Sequence, residues 1–380
     1  MQDNEKFRMI PEFKVDVKVQ ILTESKNYNH ELMNVPTMWK LTEGAGIKLA
    51  ILDTGVPKHV DLNPSGAGSV IPGYQEDKNG HATHCAGIIA AMAHNGIGVA
   101  GIAPDVEDCY CAVLDESGSG SISNIVKGID WAIGIGADVI SMSLGIPGDA
   151  VIGTSLEDAC NRAWKAGIAI FAATGNDAAW SVSQPARYDS VIGVGAVDSA
   201  SHIADFSNMG PEVDFVAGGV KVYSTYLGNS YAKLSGTSMA CPALAAVGAL
   251  ILAKHKKEGV KLSPDELYEH IKKIAFDVGP TGYDEGFGHG IPVFGSMADP
   301  EPPKDAPTPP DEDQLGTKKG PQADCAYWRL WDNFAQTVAT QLKGDRRPTK
   351  EMRLIDALTQ GLLAVAQQTA AITKTLRSKE

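Results

Sequence analysis

The sequence predicts an α/β domain built on a mostly parallel sheet, followed by a Pro-rich linker and a separate α-helical module. Three observations carry this. Short apolar runs alternate with helix-spaced stretches from Ile47 to about residue 298. Residues 299–321 then concentrate proline and charge. Beyond them, residues 322–380 carry nine Lys/Arg against six Asp/Glu, a net +3, where residues 1–321 carry −16. A shift of composition at a Pro-rich stretch marks a domain boundary. The expected divisions are an N-terminal extension (1–25), the main domain (26–298), the linker (299–321) and a helical tail (322–380).

Taken in order, residues 1–45 are polar and mixed, and IKLAILD (47–53) opens the alternation. It is β-branched and almost continuously apolar, as a strand covered on both faces should be. NGHATHCAGIIAAMA (79–93) follows with helical spacing, then the helix–strand pair ISNIVKGIDWAIGIG (122–136) and ADVISMSL (137–144). SLEDACNRAWKAG (155–167) and IAIFAAT (168–174) repeat the pattern, SVIGVGAV (190–197) adds a strand, and LSGTSMACPALAAVGALILA (234–253) reads as a long buried helix. Strands alternating with helices argue for parallel pairing with helices packed on the sheet. The linker DPEPPKDAPTPPDEDQLGTKKGP is stiffened by polyproline II geometry. In the tail, Ile355, Leu358, Leu362, Val365, Thr369, Ile372 and Leu376 step by three and four, a heptad seam. Tyr327, Trp331, Phe334, Val338 and Leu342 form a second stripe. So small a helical hairpin is marginal alone, so a homo-oligomer or docking on a protein partner is expected.

Bulk composition excludes several classes. A net charge of −13 argues against nucleic-acid binding and against an anionic membrane surface. No run of 18 or more apolar residues suggests a membrane span. The N-terminal MQDNEKFRMIPEFKVDVK lacks the basic-then-apolar order of a signal peptide, so a cytoplasmic location is expected. The six cysteines show no CxxC pair, which fits reduced thiols.

The chemistry begins at LAILDTGV (49–56). An apolar strand ending in Asp-Thr-Gly could supply one of two carboxylates sharing a proton. It could also supply the orienting Asp of a Ser-His-Asp triad, or serve turn chemistry alone. A second Asp-Thr-Gly is missing: Val197-Asp198-Ser199-Ala200 lacks the glycine, and α/β alternation contradicts an all-β fold. Two further segments complete a triad instead. NGHATHCAG places His81 at the mouth of an apolar helix, and LSGTSMACP places Ser238 at the start of another. A serine hydroxyl needs a neighbouring imidazole to take its proton, and the imidazole needs a carboxylate to fix its tautomer.

DTG (53–55), HATHCAG (81–87), SMSLG (141–145), AATGN (172–176) and SGTSMACP (235–242) resemble subtilisin-like serine proteases, the subtilases, in order along two thirds of the chain. The resemblance implies a three-layer sandwich and a serine endopeptidase working through an acyl-enzyme on Ser238. Asp53 and His81 complete its triad, and Asn176 provides the oxyanion-hole amide. It implies cleft walls at Gly118, Ser119 and Gly120 and at Ser143, Leu144 and Gly145. Ala172, Ala173 and Thr174 would line the primary pocket for the protein or peptide substrate, with Gly175 a further substrate-binding residue. HNGIGVAG (94–101) resembles the family's calcium loop, with Asp61, Asn95 and the carbonyls of Ala93, Ile97 and Val99 as ligands to Ca2+. Cys85 resembles the thiol packed under the histidine in the proteinase K-like branch. FRMIPEFKV (7–15) resembles the segment that lies across the cleft in intracellular subtilisins and keeps them latent. Pro11 would misplace the peptide bond there, although Glu12 stands where an aromatic residue is expected and Phe13 follows. The alternative from another class is an inactive subtilase-fold scaffold acting through its helical tail.

Overall fold

The computed structural model describes residues 5–10, 15, 17–19 and 23–295, with only the backbone of Val17–Val19. The chain divides into units of residues 1–296 and 297–380, and the first is the one described. The expectations for Pro11, Glu12, Phe13, the linker 299–321 and the helical tail 322–380 lie outside the described residues.

Seven strands form the central sheet, in the spatial order Phe215–Gly218, Ile192–Val197, Ala169–Ala173, Val139–Met142, Lys48–Asp53, Glu107–Ala112, Gly66–Ser69. Every neighbouring pair is parallel. Parallel strands need crossovers, and the helices His81–Ala90, Ile122–Gly134, Ser155–Lys165 and Thr237–Lys257 pack against the sheet. The fold is the α/β class the alternation predicts. The strand Lys48–Asp53 sits between Glu107–Ala112 and Val139–Met142, which both follow it in the chain but lie on its opposite sides, so the order reverses beside it. In open α/β sheets, ligand sites form outside the carboxyl ends of strands at such a reversal. Asp53 is the last residue of that strand.

Two helices begin at this carboxyl edge. His81–Ala90 is buried along all ten residues, wedged between the sheet and the hairpin Val222–Leu234. Gly87 is required there, because a Cβ would come within 2.3 Å of Thr225 Oγ1. Asp77 caps the start of this helix. Its Oδ1 accepts from the N–H groups of Asn79 and Gly80, and its Oδ2 from the N–H and hydroxyl of Thr83. Losing a cap of this kind typically costs about 1 kcal/mol.

Thr237–Lys257 is long and apolar enough to cross a membrane by length and composition, with a mean hydropathy of 1.5 over 18 residues. That window is 89% buried inside the protein, which makes it a core helix. Pro242 lies within its second turn. A proline has no N–H to give the carbonyl four residues back, and here that carbonyl belongs to Ser238. Ser143 Oγ takes its place at 2.9 Å, and Cys85 Sγ approaches at 3.4 Å. The break in the ladder thereby ties the first turn of the helix to both neighbouring segments.

Candidate active site

Asp53 and His81 meet directly. His81 Nδ1 lies 2.8 and 2.9 Å from the two Asp53 carboxylate oxygens. An ionised carboxylate only accepts, so Nδ1 carries the proton and Nε2 presents its lone pair. Both side chains are about 1% exposed. Thr54 N–H holds Asp53 Oδ1 at 2.6 Å. Burial pushes the imidazole pKa down, but the Asp53 carboxylate outweighs that and holds it well above the ordinary histidine range. Cys85 lies 3.8 Å from Nδ1, and burial pushes its thiol pKa up, so it packs there as a neutral group.

Ser238 occupies the first turn of its helix and donates its hydroxyl to the Ser143 carbonyl at 3.3 Å. Asn176 lies three residues beyond the strand Ala169–Ala173 and faces the same turn. Its Oδ1 accepts from Thr237 N–H at 2.8 Å and Thr237 Oγ at 3.0 Å. With the oxygen fixed, the Nδ2 hydrogens are presented on the other side of the amide. Four residues from four chain segments thus converge at the carboxyl edge of the sheet.

A cavity of about 130 Å³ opens beside them, lined in part by Leu144, Gly145, Ala173, Gly175, Asn176 and Ser238. An expected lining residue, Thr174, and an expected wall residue, Ser143, turn their side chains away from it. Thr174 is fully buried, its N–H and carbonyl engaged with Val194 and Ser183, so it holds strands together behind the cavity. Ser143 is also buried, because its hydroxyl and carbonyl are both turned to Ser238.

The two expected cleft walls grip an extended strand of the chain itself. Lys6–Arg8 pairs antiparallel with Ser119–Ser121, Phe7 standing opposite Gly120. The N–H groups of Met9 and Ile10 reach the Gly118 carbonyl at 3.1 and 3.2 Å, and the Met9 carbonyl accepts from Gly145 N–H at 3.1 Å. Gly118 has φ +74°, the left-handed region that glycine tolerates, and a Cβ there would crowd Ile10 at 3.2 Å.

The loop expected to bind a metal also assembles. Asp61 is fully buried and takes Asn95 Nδ2 at 2.6 Å, Val99 N–H at 2.9 Å and the Tyr231 hydroxyl at 3.2 Å. Burial pushes its pKa up despite these donors. Gly96 and Gly98, at φ +77° and +63°, curl the segment that carries Ala93, Ile97 and Val99 around it. A desolvated carboxylate, an amide and backbone carbonyls on one loop are the donor set of a hard cation, so the residues fit the expected ion.

Several contributors escaped the sequence reading. Glu24 closes the loop by accepting the N–H groups of Asn95 and Gly96 at 2.9 and 3.2 Å. Thr237 and Pro242 stand inside the SGTSMACP motif, but the bonds by which they hold their neighbours are visible only in the structure, and Asp77 lies four residues ahead of the helix it caps.

The sequence model described as the subtilase family matches residues 44–290. The chain is 44% identical over 250 residues to the M-protease of Shouchella clausii (strain KSM-K16), covering 65% of this chain and 63% of that protein. It is 44% identical over 250 residues to subtilisin Savinase of Lederbergia lenta, covering 65% of this chain and 89% of the relative. Subtilisin DY of Bacillus licheniformis is 43% identical over 256 residues, 66% of this chain and 89% of its own length. The match thus spans a little under two thirds of the M-protease and most of the other two.

Proposed function

The chain belongs to the subtilase family, and from that premise we propose that it is a serine endopeptidase with Ser238 as nucleophile. The observation that carries the reading is the buried Asp53–His81 pair, which fixes the imidazole tautomer beside the Ser238 turn. His81 Nε2 takes the Ser238 hydroxyl proton as Oγ attacks the substrate carbonyl. The oxyanion that forms is met by Asn176 Nδ2 and the Ser238 N–H. Collapse breaks the C–N bond, and the proton held by His81 passes to the leaving amine. Water then attacks the acyl-enzyme with His81 again as base. Covalent labelling of Ser238 by a fluorophosphonate, located by peptide mass mapping, tests the assignment. An adduct elsewhere, or none alongside peptide hydrolysis, would overturn it.

Latency is the second part of the proposal. The segment Lys6–Ile10 fills the groove between Gly118–Gly120 and Gly145, where a substrate would need to pair. A tethered segment competes at a high effective concentration. Removing residues 1–10 is expected to raise kcat/KM on a short peptide by about tenfold or more. An unchanged rate would remove the inhibitory role.

Calcium is the ion we assign to Asp61, Asn95 and the carbonyls of Ala93, Ile97 and Val99, where it would clamp the loop and neutralise the buried carboxylate. Chelation with EGTA is expected to lower the melting temperature by about 5–10 °C. Asp61→Asn should abolish the difference. Equal melting with and without EGTA in the unaltered protein would overturn the assignment.

A further inference from the structure

Asp115 sits in a tight loop at the outer end of the groove. Its Oδ1 is saturated locally, by Ser117 N–H at 2.9 Å, the Ser117 hydroxyl at 2.6 Å and Ser119 N–H at 3.2 Å. The loop is closed by Asp115 N–H on the Ser119 carbonyl and Gly118 N–H on the Asp115 carbonyl, both at 2.9 Å. Oδ2 is left turned toward the groove, and there it pairs with the ammonium of Lys6. Burial alone would raise this carboxyl; Lys6 and the serine donors outweigh it and hold it at about 2.

Lys6 reaches this position because Lys6–Arg8 forms a ladder with Ser119–Ser121, in which Lys6 stands opposite Ser121. Main-chain pairing is blind to sequence, so a substrate strand entering the same groove would hang one side chain over Asp115 in the same way. We propose that Asp115 is a specificity-determining residue that selects Lys or Arg upstream of the cleaved bond, at the position Lys6 fills in the chain's own segment. The inference rests on reading the groove as the substrate site and adds to it a class of substrate: chains with a basic residue on that side.

The test is a positional scan. Peptides carrying Lys, Gln or Glu at each upstream position in turn are hydrolysed by the full-length protein and by Asp115→Asn and Asp115→Lys. Ratios of kcat/KM are taken within one preparation, so the fraction of latent protein cancels. Asn keeps an acceptor for Ser117 and Ser119, which preserves the loop. A half-exposed ion pair predicts a Lys-over-Gln preference of about two- to fivefold at one position. It should vanish in Asp115→Asn, turn toward Glu in Asp115→Lys, and weaken in 1 M NaCl, where the Debye length is about 3 Å. A preference for Lys spread over all positions and kept in Asp115→Asn would trace to the acidic domain as a whole and overturn the inference. Equal hydrolysis of all peptides would do the same while leaving the endopeptidase reading intact. Absence of any hydrolysis would remove that reading and the inference together.

Discussion

Ser238→Ala is expected to reduce kcat for peptide hydrolysis by about 10⁶-fold and to abolish fluorophosphonate labelling while leaving the melting temperature close to that of the parent. The magnitude comes from removal of the corresponding serine in a subtilisin, a relative of this chain, and corresponds to about 8 kcal/mol of transition-state stabilisation. The fold should tolerate the change. The hydroxyl makes a single long bond to the Ser143 carbonyl, whereas the Ser238 carbonyl stays held by Ser143 Oγ and approached by Cys85. The residual rate should still exceed that of water by about 10³-fold, because Asn176 and the Ser238 N–H remain aimed at the developing oxyanion. Single-turnover kinetics on an ester substrate would show the burst of acyl-enzyme lost with the serine. A loss of less than about 100-fold would mean that another group attacks, and the neutral, buried Cys85 would be the first to substitute.

How far the fold could be read from the chain depends on what makes each strand a strand. Lys48–Asp53, Ala169–Ala173 and Ile192–Val197 are buried on both faces, so selection for apolar, β-branched residues wrote them plainly into the sequence. Gly66–Ser69 carried no such mark. Its glycines are there for fit: a Cβ on Gly66 or Gly68 would lie 2.7 Å from Cys109 Sγ or Trp131 Nε1. No local pattern can announce a strand whose residues are chosen by what packs over it. ADVISMSL was legible as a strand, but the ladder ends at Met142 because Ser143–Gly145 leaves the sheet for the site.

The same division runs through the site. Asp53, His81, Asn176 and Ser238 were legible because chemistry demands those residue types at strand and helix ends. The roles of the groups that hold them were not, even for residues inside the SGTSMACP motif. Thr237 matters through a backbone N–H and a hydroxyl that any small polar residue shares, and Pro242 matters through a hydrogen bond it fails to make. Asp77 acts through five donors, four of them on the neighbouring residues Asn79, Gly80 and Thr83 and one, the Thr54 hydroxyl, brought to it from another strand end only by the fold. Lys6 and Asp115 are 109 residues apart, and nothing in either neighbourhood foretells the pairing.

Asp53→Asn should cost about 10⁴-fold in kcat, more than the loss of one charge would suggest, because the geometry forces the wrong tautomer. Thr54 N–H lies 2.6 Å from Oδ1, so a carboxamide would keep its oxygen there and turn its NH₂ toward His81 Nδ1. Nδ1 would then have to accept, leaving the hydrogen on Nε2, where it blocks uptake of the serine proton. The pH profile separates this from a general loss of structure. In the parent, the Asp53 charge holds the His81 cation well above the ordinary range despite burial, so kcat/KM should climb through neutrality toward alkaline pH. Without that charge, burial dominates and the inflection moves to lower pH, so the small remaining activity should persist into acid. Retention of more than a tenth of the activity with an unmoved inflection would mean that Asp53 does not act on the imidazole. The buried carboxylate at the end of LAILDTGV would then be serving its turn alone.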